Sequence, residues 1–143
     1  LDTLQAAIAL YKLPKLEKLN LRFREIARKY WDGLNDIVDA PVDRSGEYGV
    51  YHNYVIQVDK KHRDKLMEHL LSEHGVQTAI HYPKLIHNQP AAQSLGYRKS
   101  GDFPNAERLV KRMISLPIYP ELSEAEIDRV INGIKSYFKI VKD

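Results

Sequence analysis

The densest group of chemically versatile side chains lies in one stretch, His81-Tyr82-Pro83-Lys84-Leu85-Ile86-His87-Asn88-Gln89-Pro90. Two imidazoles, a phenol, an ammonium and two amides there can bind a polar or anionic ligand through directed hydrogen bonds. The same residues serve equally as scaffolding, with His81 and Tyr82 anchoring a loop to a sheet and the others facing solvent. Residue types alone leave both readings open. A zinc site is not expected, because His81 and His87 do not have the spacing of a helical metal pair and the stretch holds no acidic residue.

Other candidates are weaker. His52 stands beside Tyr51 in a β-prone run; if it shares the face of Tyr54 and Ile56 it is a half-buried core histidine, and as a general base it would need a partner within hydrogen-bond reach. Ser115 lies in Ile-Ser-Leu-Pro, without the flanking glycines of a nucleophile elbow, and reads as structural. Trp31 and the tyrosines can stack on a base or sugar, but Tyr30-Trp31 follows a helical stripe and reads as packing. No glycine-rich phosphate loop is present, neither G-x-G-x-x-G nor a lysine loop of the P-loop type. From these residues we expect no catalytic, cofactor-binding or metal-ligating group in the chain.

Composition bounds what can position such residues. With 143 residues, 43% of them hydrophobic, the chain suffices for one globular domain and is too short for two ordinary ones. No apolar run reaches the length of a membrane span, and residues 1–10 lack the features of a signal peptide, so a cytoplasmic protein is expected. Cysteine is absent, which excludes disulfides, thiolate metal sites and cysteine nucleophiles. The 22 basic and 19 acidic residues are scattered, so the net charge of +3 forms no footprint for nucleic acid.

The elements follow from periodicity. Leu1, Leu4, Ala7 and Ile8 keep helical spacing with no capping residue before them, which predicts a helix cut from something longer. Pro14 predicts a kink or restart. From Leu16 the positions Leu19, Phe23, Ile26, Ala27, Tyr30, Leu34 and Ile37 predict a long amphipathic helix. A strand is expected over 50–58, then a helix capped by Asp59, with Leu66, Met67, Leu70 and Leu71 inward and Gly75 as its stop. A second strand over 76–82 precedes a mostly irregular segment, 83–101, with one helical turn near 91–95. Pro104 opens a helix with Leu109, Val110 and Met113 inward, and a third strand covers 114–118. Ser123 and Glu126 form a capping box, with Leu122 and Ile127 as a hydrophobic staple, for a last helix whose stripe is Ile127, Val130, Ile131, Ile134 and Phe138. The result is an α+β domain with a small three-stranded sheet covered by helices. The first two strands would run parallel through a right-handed crossover, with the third between them and antiparallel.

Several segments, in order, resemble the DegT/DnrJ/StrS family of nucleotide-sugar aminotransferases. These are Leu1-Asp2-Thr3-Leu4-Gln5-Ala6-Ala7-Ile8; Lys12-Leu13, Leu16 and Arg24-Glu25-Ile26-Ala27 with Tyr30; and Tyr51-His52-Asn53-Tyr54-Val55-Ile56. The most specific is Gly75-Val76-Gln77-Thr78-Ala79-Ile80-His81-Tyr82-Pro83 with His87, Gln89 and Pro90. Gly96-Tyr97, Pro104-Asn105-Ala106-Glu107 and Ser115-Leu116-Pro117-Ile118-Tyr119-Pro120 complete the match. Leu85 departs from it, standing where a proline is common in the family.

The resemblance implies that residues 1–143 are the C-terminal small domain of a type I, aspartate aminotransferase-like enzyme that depends on pyridoxal 5'-phosphate. Residues 1–38 would be the helical link to a large domain, and 49–138 the α/β core. It implies amino transfer, usually from glutamate, to a keto nucleotide-sugar in amino-sugar or cell-surface polysaccharide synthesis, by a homodimer. His81, Tyr82 and His87 would contact the nucleotide-sugar. The cofactor's lysine and most of its phosphate contacts would belong to the large domain, so this piece alone would be inactive. Two other readings remain: a sugar dehydratase of the same family, and a non-catalytic α+β binding or oligomerisation module.

Overall fold

The structure, a computed structural model, describes residues 1–96 and 101–141. Tyr97, part of one matched segment, lies outside the described residues. Helix α1 spans Thr3–Lys12 and carries its own cap: the Asp2 carboxylate accepts the Gln5 N–H at 2.8 Å and the Gln5 side chain accepts the Asp2 N–H. This corrects the uncapped start expected above, because the helix begins after Asp2 rather than at Leu1. Pro14 sits in a single 3-10 turn, Leu13–Lys15, from which α2 (Leu16–Leu34) continues. Its stripe is buried at Ile26, Ala27, Tyr30 and Leu34, while Leu19 and Phe23 are half-buried.

Strands β1 (Tyr54–Gln57) and β2 (Met113–Leu116) pair antiparallel, Tyr54 opposite Leu116 and Gln57 opposite Met113. Between them in sequence lies α3 (Lys60–His74). Asp59 caps it by accepting the Lys61 N–H at 3.0 Å, and Gly75 ends it at φ +62°, a left-handed turn that a side chain would strain. Short helices α4 (Pro90–Ser94) and α5 (Pro104–Leu109) follow, and α6 (Glu124–Ile140) closes the fold. Ser123 and Glu126 form the expected capping box, and Leu122 and Ile127 are both buried in the core.

The sheet is two-stranded, which corrects the three-stranded expectation. The run expected as a strand over 76–82 touches β2 through one bridge, in which Ala79 and Ser115 exchange N–H···O bonds of 2.8 and 3.2 Å. The next bonded pair along that register would join residue 77 to Pro117, and Pro117 has no N–H to give. The order foreseen for the third strand survives in this weaker form: Ser115 sits between Val55 on one side and Ala79 on the other, antiparallel to both. The other strands are shorter than expected, and Met113 belongs to β2 rather than to the helix before it.

Helix α6 packs against both α2 and α3, and Tyr30 of α2 stacks on Tyr54 of β1 at 5.2 Å. At the seam of α3 and α6, the Ser136 hydroxyl donates to the Gly133 carbonyl and receives His69 Nε2 at 3.0 Å and His74 Nε2 at 3.1 Å. A Cβ at Gly133 would lie 2.8 Å from Leu70 Cδ2, so a side chain there would have to displace its neighbours. Helix α2 also grips residues 117–124. Tyr30 Oη donates to the Pro117 carbonyl at 2.8 Å, Arg22 to the carbonyls of Pro120 and Leu122 at 3.3 and 2.6 Å, and Lys29 pairs with Glu124. Burial holds the phenols of Tyr30 and Tyr54 well above their ordinary pKa. The loop between α2 and β1 is pinned by Asp43, whose carboxylate accepts from Tyr51 Oη and Arg24 Nη1, each at 2.6 Å, and from the Gly49 N–H at 3.2 Å. No helix among the described residues is long and apolar enough to cross a membrane.

Candidate functional site

At the open edge of the sheet, a cavity of about 520 Å³ is bounded by the run 76–81, the segment after β2 and the first turns of α6. Its polar lining includes His52, His81, Ser115, Tyr119, Glu126 and Arg129. The edge exists because Ala79 alone bridges to β2, so the chain from Val76 onward stands off from Pro117 and leaves space between them.

His81 reaches this cavity at the end of that run. Its Nδ1 lies 2.9 Å from the Ser115 hydroxyl, which projects from the middle of β2 and is itself buried. The pair orients the imidazole and leaves Nε2 without a partner among the described residues. Tyr82 turns outward: it is 74% exposed, its ring edge-on to His81 at 5.5 Å, and it is not part of the cavity wall. The peptide joining His81 to Tyr82 is cis. His87 is separate again. Its side chain is 10% exposed, stacked on Phe103 at 4.7 Å, with Nε2 3.3 Å from Glu107 Oε1. The structure thus brings His81 to the cavity, sets Tyr82 at its approach and places His87 inside the following loop.

His52 lies on the cavity too, exposed and just before β1, which corrects the half-buried strand position considered above. It falls outside because β1 starts only at Tyr54, after Tyr51 has taken a positive φ of 47°.

The charged groups of the lining are one carboxylate and one guanidinium. Glu126, the acidic group on the lining, is spent on its capping box, accepting the Ser123 N–H at 2.8 Å and Ser123 Oγ at 2.7 Å. Those bonds, the backbone one first, hold its carboxyl below the usual range. Arg129, one turn further along α6, makes no hydrogen bond among the described residues and adds to the lowering of the Glu126 carboxyl, so the lining carries one guanidinium beside that carboxylate, with the imidazoles of His52 and His81 across from them. Sequence reasoning missed Arg129, and it read Ser115 as structural without foreseeing that its hydroxyl would orient His81. The signal for Arg129 was its place one turn beyond a capping Glu at a helix start; for Ser115, whose partner is 34 residues away, there was none. The lining contains no lysine, so nothing on this wall fits a covalently held aldehyde cofactor. Among the described residues no group of three or more metal-binding side chains gathers.

The sequence matches the DegT/DnrJ/EryC1/StrS aminotransferase family over residues 1–135. The chain belongs to this family. It is similar to dTDP-3-amino-3,6-dideoxy-alpha-D-galactopyranose transaminase of Aneurinibacillus thermoaerophilus, 34% identical over 138 residues that cover 96% of this chain and 36% of that protein. Among solved structures, a DegT DnrJ EryC1 StrS aminotransferase from Brucella abortus superposes with a TM-score of 0.86 at 37% identity, covering 96% of this chain and 36% of that one. NtdA from Bacillus subtilis with bound cofactor PMP superposes with a TM-score of 0.86 at 29% identity, covering 97% and 33%. The chain therefore spans about a third of the length of the relatives it matches. The DegT/DnrJ/EryC1/StrS membership accounts for the helix-strand order described above.

Proposed function

We propose that this chain is the small domain of a pyridoxal-phosphate-dependent aminotransferase that transfers an amino group, with glutamate as donor, to a keto sugar carried on a nucleotide, in amino-sugar or polysaccharide synthesis. The observation that carries this reading is the donor-rich cavity beside the His81–Ser115 pair, in a chain whose relatives include a dTDP-sugar transaminase. The diphosphate of a nucleotide-sugar is a bulky anion, and Arg129 with His81 and His52 is the kind of wall that holds one. Tyr82, exposed at the approach, would pack on the sugar or base, and the loop that runs on to His87 would border the ligand.

Bound pyridoxal phosphate would supply the electron sink for amino transfer. Its covalent lysine would come from outside these residues, which contribute a wall that binds and orients the substrate and excludes water. Homodimerisation, proposed as for the family, would bring such walls against the cofactor sites.

The test uses the full-length protein that contains this chain, loaded with pyridoxal phosphate. Glutamate should bleach the cofactor's visible absorbance, and a keto nucleotide-sugar should restore it. Unchanged absorbance with glutamate would sink the aminotransferase reading. Arg129→Ala should raise KM for the nucleotide-sugar by about tenfold or more with little change in the reaction with glutamate.

A further inference from the structure

Residues 83–90 leave the sheet edge with little to hold them. The Asn88 N–H bonds to the Leu85 carbonyl and the Gln89 N–H to that of Ile86, both at 3.0 Å, and Gln89 Nε2 reaches the Lys84 carbonyl at 3.3 Å. All three bonds are internal to the segment. Among the described residues the Gln93 N–H reaches back to the Gln89 carbonyl at 3.1 Å, and His87 adds a side-chain tie to α5.

Its imidazole is almost fully enclosed. One face lies on Phe103, and Nε2 is buried with no aligned hydrogen-bond acceptor, 3.3 Å from Glu107 Oε1. The same carboxylate oxygen accepts the Gly101 N–H at 2.5 Å. One oxygen on α5 therefore gathers two points of the chain, residue 87 and residue 101, and the excursion between them starts and returns at Glu107. The identity of the facing atom decides the proton. With a bare, buried Nε2, two acceptors would oppose each other at 3.3 Å; with Nε2–H, the approach is attractive.

We infer that His87 is a latch: enclosed between the Phe103 ring and the Glu107 carboxylate, with Nε2 3.3 Å from that carboxylate, it fixes the path of the loop that begins at His81 and Tyr82. It is a positioning residue, acting on the ligand through that loop. Its effect on substrate rests on the reading in the preceding section; the latch itself does not.

The experiment compares His87→Leu, which fills the space without a donor, His87→Gln, which keeps one, Glu107→Ala and the double variant His87→Leu/Glu107→Ala, all in the full-length protein that contains this chain. Amide exchange at Asn88 and Gln89 should quicken by up to about tenfold in His87→Leu and in Glu107→Ala, and no further in the double variant. His87→Gln should stay within about twofold of the parent. Amides of α3 and α6 should exchange as before, reporting an intact fold. Nitrogen-15 spectra of the parent should show His87 protonated at Nε2. A bare Nε2, additive effects of the two substitutions, or His87→Gln as loose as His87→Leu would each overturn the latch. In the full-length enzyme, His87→Leu should raise KM for the nucleotide-sugar and spare kcat. An enzyme inert toward glutamate would overturn the functional reading while leaving the loop measurements to stand.

Discussion

Gly133 and Asp43 show how much rests on single residues. At Gly133, a methyl group would press on Leu70 and on His74 where α3 meets α6. Overpacking of this kind costs about 1–3 kcal/mol, against roughly 1 kcal/mol gained in helix propensity. Gly133→Ala should therefore lower stability by about 1 kcal/mol net, measured by urea denaturation; an increase would show that α3 and α6 part without cost. Asp43 is held below the usual carboxylate range, first by the hydrogen bond from Tyr51 and further by Arg24 and the Gly49 N–H. A depressed carboxyl stabilises the fold above its unfolded value, near pH 4, and loses that contribution as pH falls toward the folded value. The loop between α2 and β1 should thus come free in acid before the core does, and Asp43→Asn should abolish that early step in the near-ultraviolet signal of Tyr48 and Tyr51. At this scale the sequence was partly legible. His81 stood out because its neighbours are chemically rich. Ser115 and Arg129 did not, since one needs a partner brought by the sheet and the other is a single arginine among scattered charges.

Among the elements, caps could be read most closely. Asp59, Gly75 and the Ser123/Glu126 box act where their residue types predict, because capping is settled within four residues. The cap at Asp2 was overlooked by counting Leu1 as helical. Strand extent was less legible: β-branched residues over 76–82 and 114–118 favour extension, but whether two extended runs bond depends on donors facing across the gap. Pro117 removes one. Pro117→Ala should supply it, and a new slowly exchanging amide should appear at residue 117, joining residue 77 to the sheet. Fast exchange there would mean that the run is held off by something other than the missing donor. The lengthened sheet should also narrow the cavity and weaken nucleotide-sugar binding.

Across the molecule, the largest departure from a closed surface is at α1 and the turn after it. Leu4 is 72% exposed and Tyr11 likewise, and Leu10, Leu13 and Leu16 are also uncovered. Periodicity placed Leu4 and Leu16 in helical patterns, but not which surface meets them, because that partner is not written in the pattern. Apolar area of this kind associates. The 143-residue chain alone should sediment as dimers or larger species at micromolar concentration, and Leu4→Glu with Leu10→Glu should shift it toward monomer; a monodisperse parent would count against this.

Helix α1 runs through one 3-10 turn into α2, and α2 holds the segment behind the cavity by Tyr30 at Pro117, by Arg22 at Pro120 and Leu122, and by Lys29 at Glu124. Those bonds fasten the wall of the cavity to α2, so the helix that presents the uncovered apolar residues at its upstream end is also the one that fixes where that wall stands.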